Sequence, residues 1–171
     1  VENGVVQDNR RFSRHAETVR ELLAENHRIA LLAHQGRPGN EEFVSLEQHA
    51  DILAEHVGQE LAFAADTVGP NALQAIENLN AGQAVLLENV RMTEDELPEK
   101  PPKEHAESSF VLTLASEFDA YIDDAYSSAH RSHASLVGFP EVLPAYAGRV
   151  MEAEYTANSA IANREFDGDV A

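Results

Sequence analysis

Arg37, Arg91 and Arg131 each stand a few residues beyond the end of a short apolar run, and those runs end at Ala33, Leu87 and Ile122. Runs of this length and character read as strands buried on both faces of a parallel sheet. Ligands of open α/β sheets bind beyond the carboxyl ends of the strands, so the three arginines should share one edge. A guanidinium presents a planar fork of donors that matches phosphate and carboxylate. His34 opens the loop His34-Gln-Gly-Arg-Pro-Gly39, His130 directly precedes Arg131, and Arg11 stands ahead of the first expected helix, able to join from the side. Together these residues could capture a small, multiply charged anion, at about 1.5–3 kcal/mol for each charge-assisted hydrogen bond. The plainer alternative is that the arginines pair with surface carboxylates.

The stretch Asp119 to Gly138 is the one the others serve. It opens as a strand from Ala120 to Ile122, turns polar at Asp123-Asp124, and runs through small residues to His130-Arg131. Small side chains let backbone N–H groups approach a ligand. The spacing His130-x-x-His133 invites a metal, but no third ligand stands in helical phase with it, and no metal is expected. Gly-x-x-x-x-Gly-Lys, Gly-x-Gly-x-x-Gly and Gly-x-Ser-x-Gly are all absent.

The elements that must position these residues alternate along the chain. Helix is expected over 14–26, with Ala16, Val19, Leu22 and Leu23 on one face. A strand follows from Ile29 to Ala33. Ser45-Leu-Glu-Gln48 reads as a capping box opening a helix that Gly58 stops. A strand from Leu61 to Ala64, a helix from Gly69-Pro70 and a strand from Ala84 to Leu87 come next. The Pro-rich acidic segment 93–104 is a loop, a helix runs from His105 to Glu117, and residues 139–145 form another loop. A last helix spans Tyr146 to Ala162, and the Phe-Asp-Gly-Asp-Val-Ala171 tail looks like the lead into a further strand. Alternation of this kind argues a parallel, doubly wound sheet.

Composition narrows the partners. The chain has 171 residues, 43% of them hydrophobic, enough for one compact domain with a core. No apolar run is long enough to span a bilayer and no charged-then-apolar leader opens the chain, so a cytoplasmic home is expected. The absence of cysteine excludes disulfides and thiolate metal sites. Thirty acidic residues face twelve Lys and Arg, a formal charge of −18, and the lysines are only Lys100 and Lys103. Such a surface suits high salt, and it makes nucleic acid and anionic membrane poor partners.

The segments Leu31-Leu-Ala-His-Gln-Gly-Arg-Pro-Gly39, Leu86-Leu-Glu-Asn-Val-Arg91 and Asp124-Ala-Tyr-Ser-Ser-Ala-His-Arg-Ser-His-Ala-Ser-Leu-Val-Gly-Phe139 resemble the amino-terminal domain of phosphoglycerate kinase, its archaeal branch above all. The resemblance covers nearly the whole chain in order and spacing, and the acidic balance points to a haloarchaeal member. It implies an α/β fold, a Rossmann-like three-layer parallel sheet with helices on both faces, whose first strand would precede Val1. Residues 1–150 would form the phosphoglycerate-binding domain, and 151–171 the hinge helix and the start of a nucleotide-binding domain. The implied reaction is reversible phosphoryl transfer between 1,3-bisphosphoglycerate and ADP, giving 3-phosphoglycerate and ATP. By motif, His34, Arg37, Arg91 and Arg131, with His130 beside it, would hold the substrate phosphate and carboxylate. Arg11 would stabilise the transferring phosphoryl group. Mg-ADP and Mg-ATP would sit on the absent second domain, with no cofactor or metal in this stretch, and a monomer is expected. Asp123 stands where the family usually carries Asn. The alternative is a stand-alone anion-binding module without catalysis.

The charge yields a first prediction. Raising KCl from about 0.1 M to about 1 M shortens the screening length from ~10 Å to ~3 Å and removes most repulsion among surface carboxylates. The melting temperature, followed by circular dichroism, should rise steadily across that series. A flat or falling series would contradict a surface adapted to salt.

Overall fold

The computed structural model describes residues 1–163. In chain order the elements are α1 (Arg10–Ala24), β1 (Ile29–Leu31), α2 (Glu47–Val57), β2 (Ala62–Ala64), α3 (Pro70–Glu77), β3 (Ala84–Leu87), α4 (Pro102–Ala106), α5 (Ser109–Ala115), β4 (Tyr121–Asp123), β5 (Ala145–Ala147) and α6 (Arg149–Asn163). The strands pair in parallel as two sheets, β1-β3-β2 and β4-β5. A cavity of about 960 Å³ is lined by both β1 and β4, which stand on opposite sides of the division. The tail from Arg164, read above as the lead into a strand, lies outside the described residues.

The period-2 alternation of a strand explains why the apolar runs are continuous. Ile29 and Leu31 of β1 and Ala84 of β3 meet Ala16, Val19 and Leu23 of α1 and Leu53 and Val57 of α2. The intervening residues, Ala30, Val85 and Leu87, face Ala72 and Ile76 of α3 and Phe110, Val111 and Leu114 of α5. Both faces of the sheet are therefore covered, and every residue of β3 is buried. This is the three-layer α/β arrangement expected from the alternating pattern.

Several boundaries differ from the sequence reading, each for a local reason. The Asn9 side chain accepts the Arg11 N–H at 2.9 Å and starts α1 at Arg10, so Arg11 sits in the first turn and not ahead of it. The capping box does not form. Glu88 accepts the Leu46 N–H at 2.9 Å and the Ser45 hydroxyl at 2.7 Å, while Gln48 turns away to Val6 and Gly4. The single helix expected from His105 to Glu117 is two, because the Ser108 hydroxyl caps a new one by accepting the Val111 N–H. Residues 145–147, placed partly in a loop and partly in the last helix, pair with β4 as β5. That delays α6 to Arg149, where the Asp124 carboxylate accepts the Val150 N–H at 2.8 Å.

Leu87 and Leu112 separate burial from residue type. Leu87 is fully buried at the end of β3, whereas Leu112 is 52% exposed on α5. Leu87→Ala should cost about 2–5 kcal/mol, through lost transfer energy plus a cavity. Leu112→Ala should stay near about 0.5 kcal/mol. Urea melts of the two variants in the same salt would check this, and equal losses would contradict the placement of β3.

Candidate functional site

The end of β3 builds the site. Within Glu88-Asn-Val-Arg91, the Val90 N–H donates to the Ala33 carbonyl at 3.1 Å and ties the exits of β3 and β1 together. Asn89 is fully buried and works in both directions. Its Nδ2 donates to the carbonyls of Gln35 (2.8 Å) and Val44 (3.1 Å), and its Oδ1 accepts the Arg91 N–H at 3.2 Å. The His34–Val44 loop is thus stapled over the strand end. Arg91 Nη1 donates to the Gly36 carbonyl. Gly36 has φ +65°, and a Cβ there would lie 2.4 Å from the backbone of Glu42 and Phe43, so no other residue fits the turn.

Arg91 is only 6% exposed, and its Nε and Nη2 are buried without a partner, as is Nη1 of Arg131. Unmade donors of this kind cost about 1–3 kcal/mol each. The second wall comes from the segment after β4. Arg131 and His133 lead into a single π turn, Ala134–Gly138, held from below by Glu96. The fully buried Glu96 carboxylate accepts the Ser135 N–H at 2.8 Å and the Ser135 hydroxyl at 2.7 Å. His105, also buried, contacts the Ser132 carbonyl through Nε2 at 2.9 Å.

The electrostatics record the crowding of positive charge. Burial, then Arg131 and Arg37, push the Arg91 guanidinium below its usual value, with Glu96 opposing. Burial, then Arg91, Arg131 and His133, push His34 down to about 4. His133 is lowered by burial and by Arg91, Arg131 and Arg37, against Glu99. Arg37, Arg131, His34 and His133 therefore all stand close to Arg91. His130 is exposed and makes no hydrogen bond or ion pair among the described residues, whereas His133 is buried within the influence of Arg91 and Arg131. Arg37 is exposed at the rim.

Arg11 approaches from α1. It is exposed, and it lines the cavity between the sheets together with His34. Asp124 anchors α1 from behind. Its carboxylate accepts from Thr18 Oγ1 at 3.0 Å, contacts His15 Nδ1 at 2.9 Å, and also caps α6. Burial would raise this carboxyl, but the His15, Val150 and Thr18 hydrogen bonds hold it below the usual range. Asp123 behaves oppositely: burial and Asp124 raise it, although its Oδ1 accepts the Ala125 N–H at 2.8 Å.

The sequence reading passed over Asn89, Glu96 and the anchoring role of Asp124, and weighed His133 only as half of a metal-ligand spacing. Asn89 and Asp124 lie inside motifs quoted for their arginines, and a polar residue flanking an apolar run was the available signal. Glu96 sits in an acidic, Pro-rich segment where one carboxylate looks like any other. Arginine and imidazole suit anions, whereas Mg²⁺ takes oxygen ligands. No cluster of three His, Asp or Glu able to hold a metal lies among the described residues.

Comparison with known proteins follows the same lines. The family model for phosphoglycerate kinase matches residues 1–167. A phosphoglycerate kinase of Halorubrum lacusprofundi is 68% identical over 99% of this chain and 42% of that protein. One from Haloarcula vallismortis is 63% identical over the same shares. The crystal structure of phosphoglycerate kinase from Pyrococcus horikoshii superposes with a TM-score of 0.91 at 32% identity, over 94% of this chain and 40% of that one. The chain thus spans less than half the length of the curated relatives it matches.

Depression of His34 has a definite sign for stability. The unfolded chain takes up a proton at this residue as pH falls through 6.5, whereas the folded chain resists until about 4. Stability is therefore lost as pH falls through that window, by at most about 2 kcal/mol between pH ~6.5 and ~5. His34→Gln should flatten that part of the profile in urea midpoints taken at fixed salt. Parallel profiles for the two proteins would contradict a His34 held neutral by its neighbours.

Proposed function

This chain belongs to the phosphoglycerate kinase family, and we propose that it forms the phosphoglycerate-binding half of an enzyme that moves a phosphoryl group between 1,3-bisphosphoglycerate and ADP. The observation that carries the reading is the gathering of Arg37, Arg91 and Arg131 at one edge of a chain with formal charge −18. Among them, buried guanidinium donors are left unpaired. Like charges brought together at such cost are relieved by a multiply charged anion, and 3-phosphoglycerate carries both a phosphate and a carboxylate.

In this proposal His34, Arg37, Arg91 and Arg131, with His130 beside it, bind the groups of the substrate that do not react. Arg11, which lines the same cavity as His34, meets the transferring phosphoryl group. Such a transfer needs positioning and neutralisation of charge on the equatorial oxygens rather than a covalent nucleophile. Holding α1 against Asp124 and α6 keeps Arg11 oriented. The site's donor set does not fit Mg²⁺, so Mg-ADP and Mg-ATP are assigned to the remainder of the full-length protein. Residues 1–150 constitute the substrate domain, and the part of α6 from residue 151 onward the hinge toward that remainder. A cytoplasmic, monomeric enzyme of a salt-adapted organism completes the reading. The haloarchaeal source of the relatives supports the salt adaptation.

The two arginine roles are separable by kinetics in the full-length protein. Arg11→Ala should lower kcat by about 10³-fold or more while changing substrate affinity little, as for other arginines that meet charge in motion. Arg37→Ala should act through KM, because it holds a group that does not react. Steady-state rates at fixed molar KCl would check both. An Arg11→Ala effect confined to KM would remove its catalytic role, and failure of 3-phosphoglycerate to bind at all would remove the proposed substrate.

A further inference from the structure

We propose that Glu96 and His133 form a proton-linked pair beneath the arginines, in which Glu96 is the positioning residue that lets His133 take up a proton when an anion binds. The proposal rests on the anion site described above but assigns roles to two residues that the substrate reading does not use.

The geometry is specific. Glu96 is 0% exposed and His133 4%. Glu96 Oε1 lies 3.5 Å from His133 Nδ1, an ion-pair distance, and that Nδ1 is buried with no hydrogen-bond partner. Both carboxylate oxygens are already oriented by Ser135, and the Glu96 carbonyl accepts the Ala134 N–H at 3.3 Å. The carboxylate is therefore fixed in place under the ring. The charged and titratable groups around the pair are Arg91 from the end of β3, Arg37 and His34 from the β1 loop, Arg131 from its own segment and Glu99 from the acidic loop. Tyr121 of β4 faces Glu96.

Burial pushes the Glu96 carboxyl up, while the two Ser135 hydrogen bonds and Arg91 favour its ionised form; as a carboxylate it can only accept, so it favours the imidazole proton on Nδ1. In the neutral ring this leaves Nε2 as a lone pair, useless toward an anion. With the site empty, three guanidinium charges and burial oppose a second proton. A bound dianion cancels much of that repulsion. One proton then passes from solvent to Nε2, and the imidazolium lies between the anion and Glu96. No covalent bond to the anion forms.

Sulfate is the suitable probe, because it does not itself titrate near neutral pH. Calorimetric titration of the full-length protein, at constant KCl in two buffers of different ionisation enthalpy, counts the protons taken up. The wild type should take up a fraction of a proton per sulfate, with affinity falling about tenfold between pH ~6 and ~8, the equivalent of one unit of linkage. Glu96→Gln and His133→Gln should each flatten that slope, and the double variant should be no flatter than either single one. Glu96→Asp keeps the charge and should retain the slope, whereas a purely structural role would make it as disruptive as Glu96→Gln. Should Glu96→Gln not fold, His133→Gln and Glu96→Asp still decide the matter. A single Gln variant that keeps the wild-type slope, additive losses in the double variant, or sulfate binding without proton uptake would each overturn the pair. A wild type that binds no sulfate displaceable by 3-phosphoglycerate would instead remove the anion site, and the pair with it.

Discussion

Arg91 is a permanently charged side chain buried at the end of the central strand, and most of the local architecture is arranged around it. Burying a guanidinium is tolerable only with partners, yet the protein satisfies one of its three nitrogens, through the Gly36 carbonyl. That bond requires the left-handed turn at Gly36, the turn requires the loop from His34 to Val44 to lie over the strand exit, and Asn89 holds the loop there. Glu88 secures the start of α2 just beyond. Removing the charge would leave these polar contacts without a common purpose.

The second wall follows from the same constraint. Arg131 adds a further charge, and the segment carrying it is braced by Glu96 and His105, whose elements come from the acidic loop and from α4. A buried carboxylate offsets part of the positive field without entering the site. The site is consequently poised: positive enough to attract an anion, with unmade donors that an anion would satisfy.

Arg11 belongs to a different mechanical unit. Its helix is joined to α6 by Thr18 and His15 on Asp124, by the Thr18 hydroxyl on the Arg149 N–H, and by the ion pairs Arg14–Glu154 and Glu21–Arg149. Exposed pairs of this sort contribute little individually. The half-buried Asp124 contacts matter more, because one carboxylate serves α1 and the amino end of α6 together. One carboxylate thus fastens the amino end of α6 to the helix that carries Arg11.

The α/β alternation, the strand-end positions of Arg37, Arg91 and Arg131, the acidic charge and the family were all legible in the linear chain. Each depends on local pattern: continuous apolar runs, turn residues, and motifs short enough to read in one window. Long-range contacts were needed to show that Glu88 rather than a capping box starts α2, that residues 145–147 form a strand, and that His133 is buried near Arg91 and Arg131 while His130 is exposed. They also decided which of thirty carboxylates matter, singling out Glu96 and Asp124. The physical reason is common to all of these. Hydrogen bonds between residues distant in sequence compete with local ones, and burial, which no window of residues reveals, sets which of them count.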